Sequence, residues 1–276
     1  VTGVQTCALP ISAPVAPRRI GHWQVDKQIG RGSFAVVWRA RHAETGQRVA
    51  VKEIRLDKLN RKLRESLESE IQVLQRSRHG NIIRLHDIIK EEKRIFLVLE
   101  YCAGGDVSEF IKKHGRVRED VARHFMRQMA SGLRAMRAQN LIHRDLKPQN
   151  LLLTVAYPDA ELKIADFGFA RYMHPTGMAE TLCGSPLYMA PEILGYQKYD
   201  AKADLWSVGT ILYELLVGRP PFTGMNPMQL LRNIERSDAK IPSKVANGLS
   251  RECVSILRGL LRRNPVERMS FDEFFD

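Results

Sequence analysis

The period of the hydrophobic pattern changes once along this 276-residue chain, and that change limits its fold more than any other feature. Between Trp23 and Glu100 the apolar residues fall in short runs rich in β-branched side chains: WQVDKQI, AVVWRARH, QRVAVKEI, NIIRLHDII and RIFLVLEY. Their length and period of two are those of strands. One helical segment interrupts them. Leu63, Leu67, Ile71 and Leu74 recur at spacings of four and three, which predicts a helix over 61–76 with one apolar face. From Asp106 onward the period is helical, as in VARHFMRQMASGLRAM and DLWSVGTILYELLVG. The expectation is an α+β protein with a small β-rich lobe at residues 20–101, a hinge at 101–105 and a larger, mainly α-helical lobe at 106–276.

Composition narrows the class further. With 44% hydrophobic and 27% charged residues the chain is neither disordered nor fibrous. No run of about 18 apolar residues is present, so no membrane-spanning helix is expected. Cys7, Cys102, Cys183 and Cys253 lie far apart with no CxxC pair, which points to reduced thiols rather than zinc or a disulfide framework. A net charge of +12, from 43 Lys+Arg against 31 Asp+Glu, suggests a phosphate-bearing partner: nucleic acid, an anionic membrane or a nucleotide. Residues 1–17 are uncharged and hold three prolines, so they read as a disordered or non-native leader ahead of a domain over 18–276. The final FDEFFD lies within a helical pattern, and the chain reads as a piece of a longer protein.

Several strings carry chemistry. Gly30-Arg31-Gly32-Ser33-Phe34-Ala35-Val36-Val37 lies between two predicted strands, and its glycines let the backbone turn tightly and approach a phosphate. A dinucleotide fold would place a helix directly after the glycines, whereas Val36–Ala40 has strand character. A Walker A loop would need Gly-Lys followed by Ser or Thr. A strand–loop–strand flap over a nucleotide remains. Lys52 closes the apolar run Val49-Ala50-Val51, where an ammonium needs anions around it. Of Glu65, Glu68 and Glu70 on the predicted helix, Glu70 is best placed to face the sheet and pair with it. LIHRDLKPQNLL then spans 141–152, and KIADFG puts Asp166 16 residues after Asn150. Asp145, Asn150 and Asp166 offer two carboxylates and an amide oxygen, which suit a base and Mg²⁺.

Together these strings resemble the eukaryotic protein kinase family over residues 20–276. The resemblance implies a bilobal protein-kinase fold that uses ATP and Mg²⁺. Ile29, Gly30, Gly32 and Val37 would cover ATP, and Lys52 would bind its α/β-phosphates while paired with Glu70. Backbone groups of Glu100 and Cys102 would hold the adenine, with Leu99 behind it and Val37, Ala50 and Leu152 around it. Asp145 would take or orient the substrate hydroxyl proton, Lys147 would steady the γ-phosphate, and Asn150 and Asp166 would hold Mg²⁺. Ala35 stands where the family's third glycine usually sits, which implies a stiffer loop.

The resemblance also implies regulation and a substrate class. Phe169–Met189 would be an activation loop phosphorylated at Thr181, with Arg144 and Arg171 receiving the phosphate. Lys147, and Ser185 before Pro186, are similar to the serine/threonine branch; Phe169 favours serine, and Gln149 implies no strong demand for basic residues. Asp204 would brace the catalytic loop and Arg268 would pair with Glu192. GRGSFAVVWRARH, EYCAGGDVSEFIKKHGRV, ETLCGSPLYMAPEI and YDAKADLWSVGTILYELLVGRPPF resemble the autophagy-related protein 1 (Unc-51-like) kinases. That implies protein substrates with Ser or Thr, autophagy regulatory subunits bound through regions outside this chain, and a cytoplasmic location, peripheral at autophagosome-forming membranes. A calcium- or energy-regulated serine/threonine kinase and a non-catalytic kinase-fold scaffold are the alternatives. No nucleic-acid motif is present, so no nucleic-acid partner is expected. The charge is uneven: residues 1–100 hold 19 Lys+Arg against 11 Asp+Glu, and 111–140 hold eight against Glu119 and Asp120. Arg123, Arg127 and Arg134, at nearly helical spacing, are expected to be open to an acidic partner or an anionic membrane.

Overall fold

The structure, a computed structural model, describes residues 18–32, 35–172 and 185–276. Strands β1 (Arg19–Ile20), β2 (Trp23–Arg31), β3 (Ala35–His42) and β4 (Arg48–Arg55) precede helix α1 (Arg61–Arg76), and β5 (Leu85–Lys90) and β6 (Arg94–Glu100) follow it. They form an antiparallel sheet in the order β1-β2-β3-β4-β6-β5. Because side chains alternate across a strand, Val49, Val51, Phe96 and Val98 bury one face of the sheet with Ile20, Trp23, Val25 and Ala40. The same alternation leaves Ala50, Lys52 and Leu99 on the opposite face, where Ala50 pairs with Leu99 and Lys52 lies between Val37 and Leu97. A shift of one residue would send Lys52 into the apolar face.

Helix α1 spans the predicted residues. Asn60 caps it by accepting a 2.9 Å hydrogen bond from the Leu63 N–H, and Leu67, Glu70, Val73 and Leu74 are its buried residues. The run NIIRLHDII departs from expectation, because only its second half is strand. Asn81–Ile83 instead bonds the large lobe, with the Ile83 N–H donating to Ile164 O and the Ile164 N–H to Asn81 O, both at 2.9 Å.

The large lobe contains α2 (Val107–His114), α3 (Glu119–Ala138), the short strands β7 (Leu141–Ile142), β8 (Leu151–Leu153), β9 (Leu162–Ile164) and β10 (Arg171–Tyr172), then α4 (Pro191–Leu194), α5 (Lys202–Val217), α6 (Pro227–Arg236), α7 (Ser243–Ala246), α8 (Arg251–Leu260) and α9 (Phe271–Phe275). β8 pairs with β9, and β10 with β7. Helix α5 is buried around nearly its whole circumference, as its mostly apolar sequence requires. Leu205, Val208, Ile211 and Leu215 of α5 share a core with Phe125, Met129 and Leu133 of α3 and Leu257 and Leu260 of α8. The helix ends at Gly218, whose φ of +84° suits the left-handed stop. The three arginines expected to be open are exposed, and two of them also make surface contacts within the chain: Arg123 pairs with Glu119 at 2.5 Å, and Arg134 donates to Phe275 O at 2.6 Å.

Candidate active site

The cleft between the lobes has a volume of about 490 Å³, and the sheet, the hinge and the short strands of the large lobe line it. Ile29, Gly30, Val37, Ala50, Lys52, Glu70, Leu99, Glu100, Cys102, Asn150, Leu152 and Asp166, all named from sequence, are among its lining residues. Gly32 lies outside this lining and is exposed, its N–H donating to Ala35 O at 2.8 Å. Sequence reasoning missed Ile83, Ala165, Asp106 and Glu109, which also line the cleft. Asp106 carried a local signal, since its carboxylate caps α2 by accepting from the Glu109 N–H at 2.9 Å. Thr181 and Cys183 lie outside the described residues.

Three charges meet at the back of the cleft. Lys52 Nζ lies 2.7 Å from Glu70 Oε1 and 3.8 Å from Asp166 Oδ1. Burial acts against the Lys52 ammonium, but the charges of Glu70 and then Asp166 outweigh it and hold its pKa above the usual lysine value. For Asp166 burial favours the neutral acid, yet Lys52, then His143 and Lys147, hold the carboxyl below the usual range. It is therefore ionised at neutral pH, and 47% of its side-chain surface stays open to the cleft. The Lys52 ammonium and the Asp166 carboxylate are thus charged where a polyanion with a divalent cation would need them.

The catalytic-loop strand-to-turn segment is fixed from below. The Asp204 carboxylate of α5 accepts from the His143 N–H at 2.8 Å and the Arg144 N–H at 2.9 Å, and burial pushes its pKa up. Arg144 has a φ of +67° and Asp166 one of +62°, conformations that side chains resist and that such hydrogen bonds maintain. Asp145 Oδ2 accepts from Lys147 Nζ at 2.8 Å and from Asn150 Nδ2 at 3.2 Å, while Lys147 Nζ also donates to Ser185 Oγ at 2.8 Å. Asp145 Oδ1 is buried with no hydrogen-bond partner. A buried acceptor without a donor costs about 1–3 kcal/mol, so this oxygen is set to receive a proton donor brought by a ligand. Arg144 donates from Nε to Phe169 O at 2.6 Å and from Nη1 to Tyr199 Oη at 3.2 Å. Arg171 is exposed at the start of β10.

A flap, a buried lysine–glutamate pair, a carboxylate with an unpartnered oxygen and a second carboxylate facing the cleft, all set between a β-rich and a helical lobe, are the working parts of a phosphoryl-transfer enzyme. The protein kinase domain family matches residues 23–276, and the chain belongs to that family. Serine/threonine-protein kinase ATG1c of Arabidopsis thaliana is 59% identical over 259 residues, covering 94% of this chain and 35% of its own length. ATG1a of the same plant is 54% identical, covering 94% of this chain and 42% of its own length. Serine/threonine-protein kinase ATG1 of Chaetomium globosum is 46% identical, covering 96% of this chain and 33% of its own length. The chain thus spans well under half of these relatives.

Proposed function

We propose that this chain is the catalytic domain of a serine/threonine protein kinase (EC 2.7.11.1) that transfers the γ-phosphoryl group of ATP to serine, and secondarily threonine, hydroxyls of proteins. The observation that carries the reading is Asp145 Oδ1, an acceptor without a donor beside Lys147 and Asn150. ATP with Mg²⁺ fits the residues present. Among the described residues no group of three or more His, Cys, Asp and Glu side chains can hold a metal by itself, so a cation here needs nucleotide oxygens as well as Asn150 and Asp166. Mg²⁺ held by them would neutralise the phosphates and orient the transferred group.

The roles of the chain's own residues follow from their chemistry. Val37, Ala50, Leu99 and Leu152 give the cleft an apolar interior suited to a base, with Ile29 and Gly30 at the flap and Glu100 and Cys102 at the hinge. Glu70 fixes Lys52, which presents its ammonium to phosphate. Asp145 accepts the hydrogen bond of an incoming hydroxyl and aims its oxygen, and Lys147 balances charge on the departing phosphoryl oxygens. Phosphorylation at Thr181, read by Arg144 and Arg171, is part of the same reading. The names of the relatives support a role in autophagy, with autophagy proteins as substrates and regulatory partners bound outside this chain. A cytoplasmic site of action, peripheral at autophagosome-forming membranes, is included; among the described residues no helix is long and apolar enough to cross a membrane.

The test is phosphate transfer from Mg·ATP to a serine peptide by the wild type and by Asp145→Ala. Asp145→Ala should lower kcat by roughly 10²–10⁴-fold while the protein keeps its melting temperature. Equal turnover by the two proteins would defeat the reading.

A further inference from the structure

Gly168, Phe169 and Ala170 directly follow the Asp166-Phe167 pair, and side chains from two separate elements occupy their three consecutive carbonyl oxygens. Ser66 Oγ of α1 donates to Gly168 O, Arg144 Nε of the catalytic loop donates to Phe169 O at 2.6 Å, and Ser69 Oγ of α1 donates to Ala170 O at 3.2 Å. A serine within a helix usually bonds its own preceding turn or water. These two instead bond residues 102 and 101 positions away in sequence.

Their positions on α1 connect them to the ion pair. Ser66, Ser69, Glu70 and Val73 stand at relative positions 0, 3, 4 and 7, one face of a helix. When the serines hold the tripeptide, Glu70 therefore faces the cleft. Gly168 lies close to both anions that Lys52 meets: a Cβ there would sit 3.4 Å from Asp166 Oδ1 and 3.8 Å from Glu70 Oε2. One helical stretch further on, the Arg76 guanidinium lies 5.6 Å from the ring centre of Tyr172, in the strand that pairs with β7.

We infer that Ser66 and Ser69 are positioning residues, whose hydroxyls clip α1 to the Gly168–Ala170 carbonyls and so seat Glu70 against Lys52. The clip joins α1 to the same tripeptide that Arg144 holds from the catalytic loop, so both halves of the site are set by one short backbone segment. The inference rests on the kinase reading above, because Glu70 matters to turnover only if Lys52 binds phosphate.

The test is a cycle of variants assayed for peptide phosphorylation. Ser66→Ala/Ser69→Ala should lower kcat/KM roughly tenfold, the scale set by losing two neutral hydrogen bonds. Ser66→Thr/Ser69→Thr, which keeps both hydroxyls, should recover most of that loss. In a Glu70→Gln background, where the ion pair is already gone, the same alanine pair should cost less than about twofold, because its effect passes through Glu70. Wild-type turnover by the alanine pair overturns the inference, and so does an equal loss in both backgrounds, which would mark a stability effect. Melting temperatures check folding throughout, and the single Ser66→Ala and Ser69→Ala variants enter the same cycle if the double variant does not fold. An inactive wild type would instead defeat the kinase reading itself.

Discussion

The buried pair Glu192–Arg268 gives the sharpest test of how the large lobe is held together. The Arg268 side chain is 0% exposed and that of Glu192 2%, with their two hydrogen bonds at 2.6 and 2.8 Å. Arg268 also donates to the carbonyls of Lys202 at 2.9 Å, Arg262 at 3.0 Å and Arg263 at 3.2 Å, and its guanidinium lies 5.3 Å from the Trp206 ring centre. The two members are therefore unequal. Glu192→Gln keeps the length and one acceptor but turns an NH₂ group toward one Arg268 N–H and removes the counter-ion; because the guanidinium keeps its three carbonyls and the Trp206 ring, the loss should stay at about 1.5–3 kcal/mol. Arg268→Met leaves a buried carboxylate unpaired, which alone costs about 3–5 kcal/mol, and removes the donor from three carbonyls as well. A whole domain is stable by about 5–15 kcal/mol, so Arg268→Met should sit at the edge of folding. At about 2–4 °C per kcal/mol for a chain of this size, Glu192→Gln should melt roughly 3–12 °C below the wild type and Arg268→Met lower still. Thermal unfolding followed by far-UV circular dichroism and by tryptophan emission, to which the neighbouring Trp206 contributes, measures both. An Arg268→Met protein that melts no lower than Glu192→Gln would refute this ordering.

Three further outcomes are expected. Asp204→Asn puts an NH₂ group against one of the two N–H donors of His143 and Arg144, and kcat/KM should fall roughly 10–100-fold with secondary structure retained; wild-type kinetics would dismiss the bracing role. Burial pushes the Cys102 thiol up to about 12, so iodoacetamide should label it far more slowly at pH 7.5 than it labels an exposed thiol, a rate read by peptide mass mapping. Because the Asp166 pKa is lowered, its contribution to stability is present above the unfolded carboxylate value and lost as pH falls through the folded one; because the Lys52 pKa is raised, its contribution is present below the unfolded lysine value and lost as pH rises through the folded one. The stability lost in Asp166→Asn should therefore be flat from about pH 5 to 9 and shrink below about pH 4, as a series of melting curves would reveal.

The parts of the site that were legible in sequence are those whose residue type and spacing are fixed by local geometry. Lys52 was placed by the period of its strand and Glu70 by the turn of its helix, and the two meet at 2.7 Å. Asp145, Lys147 and Asn150 fall within one short loop, so their mutual contacts are nearly a property of the segment. What sequence missed depends on which distant partner a segment chooses. Asn81–Ile83 has the composition of a strand, but its backbone bonds β9 of the other lobe, and the chain rejoins the sheet only at Arg84, whose carbonyl accepts from the Glu100 N–H. Arg123 and Arg134 have the spacing of a basic stripe and are exposed, but their surface contacts with Glu119 and with the Phe275 carbonyl, the latter far away in sequence, could not be read from that spacing. Ser66 and Ser69 look like ordinary polar positions on a helix until a segment about a hundred residues later folds against them.

The backbone at Arg144 and Asp166 is held in a strained conformation by the helical lobe around it. A non-glycine residue in the left-handed region costs about 1–3 kcal/mol, and here Arg144, directly before Asp145, and Asp166 of the cleft are both in it. They persist because their surroundings leave no alternative. Asp204 takes both N–H groups that precede Asp145, and it can do so only because α5, buried on nearly all sides, is held fixed by α3 and α8. Asp204 is itself buried, and those two hydrogen bonds only partly offset the loss of water around its carboxyl, so its pKa stays raised. The rigid lobe thus sets the geometry at Asp145 independently of the small lobe. The small lobe contributes through the Lys52–Glu70 pair, whose place depends on where α1 lies. Turnover should therefore respond to small displacements of α1 in a way that it does not respond to changes on the outer face of the sheet, where Val49, Val51, Phe96 and Val98 pack without touching the cleft.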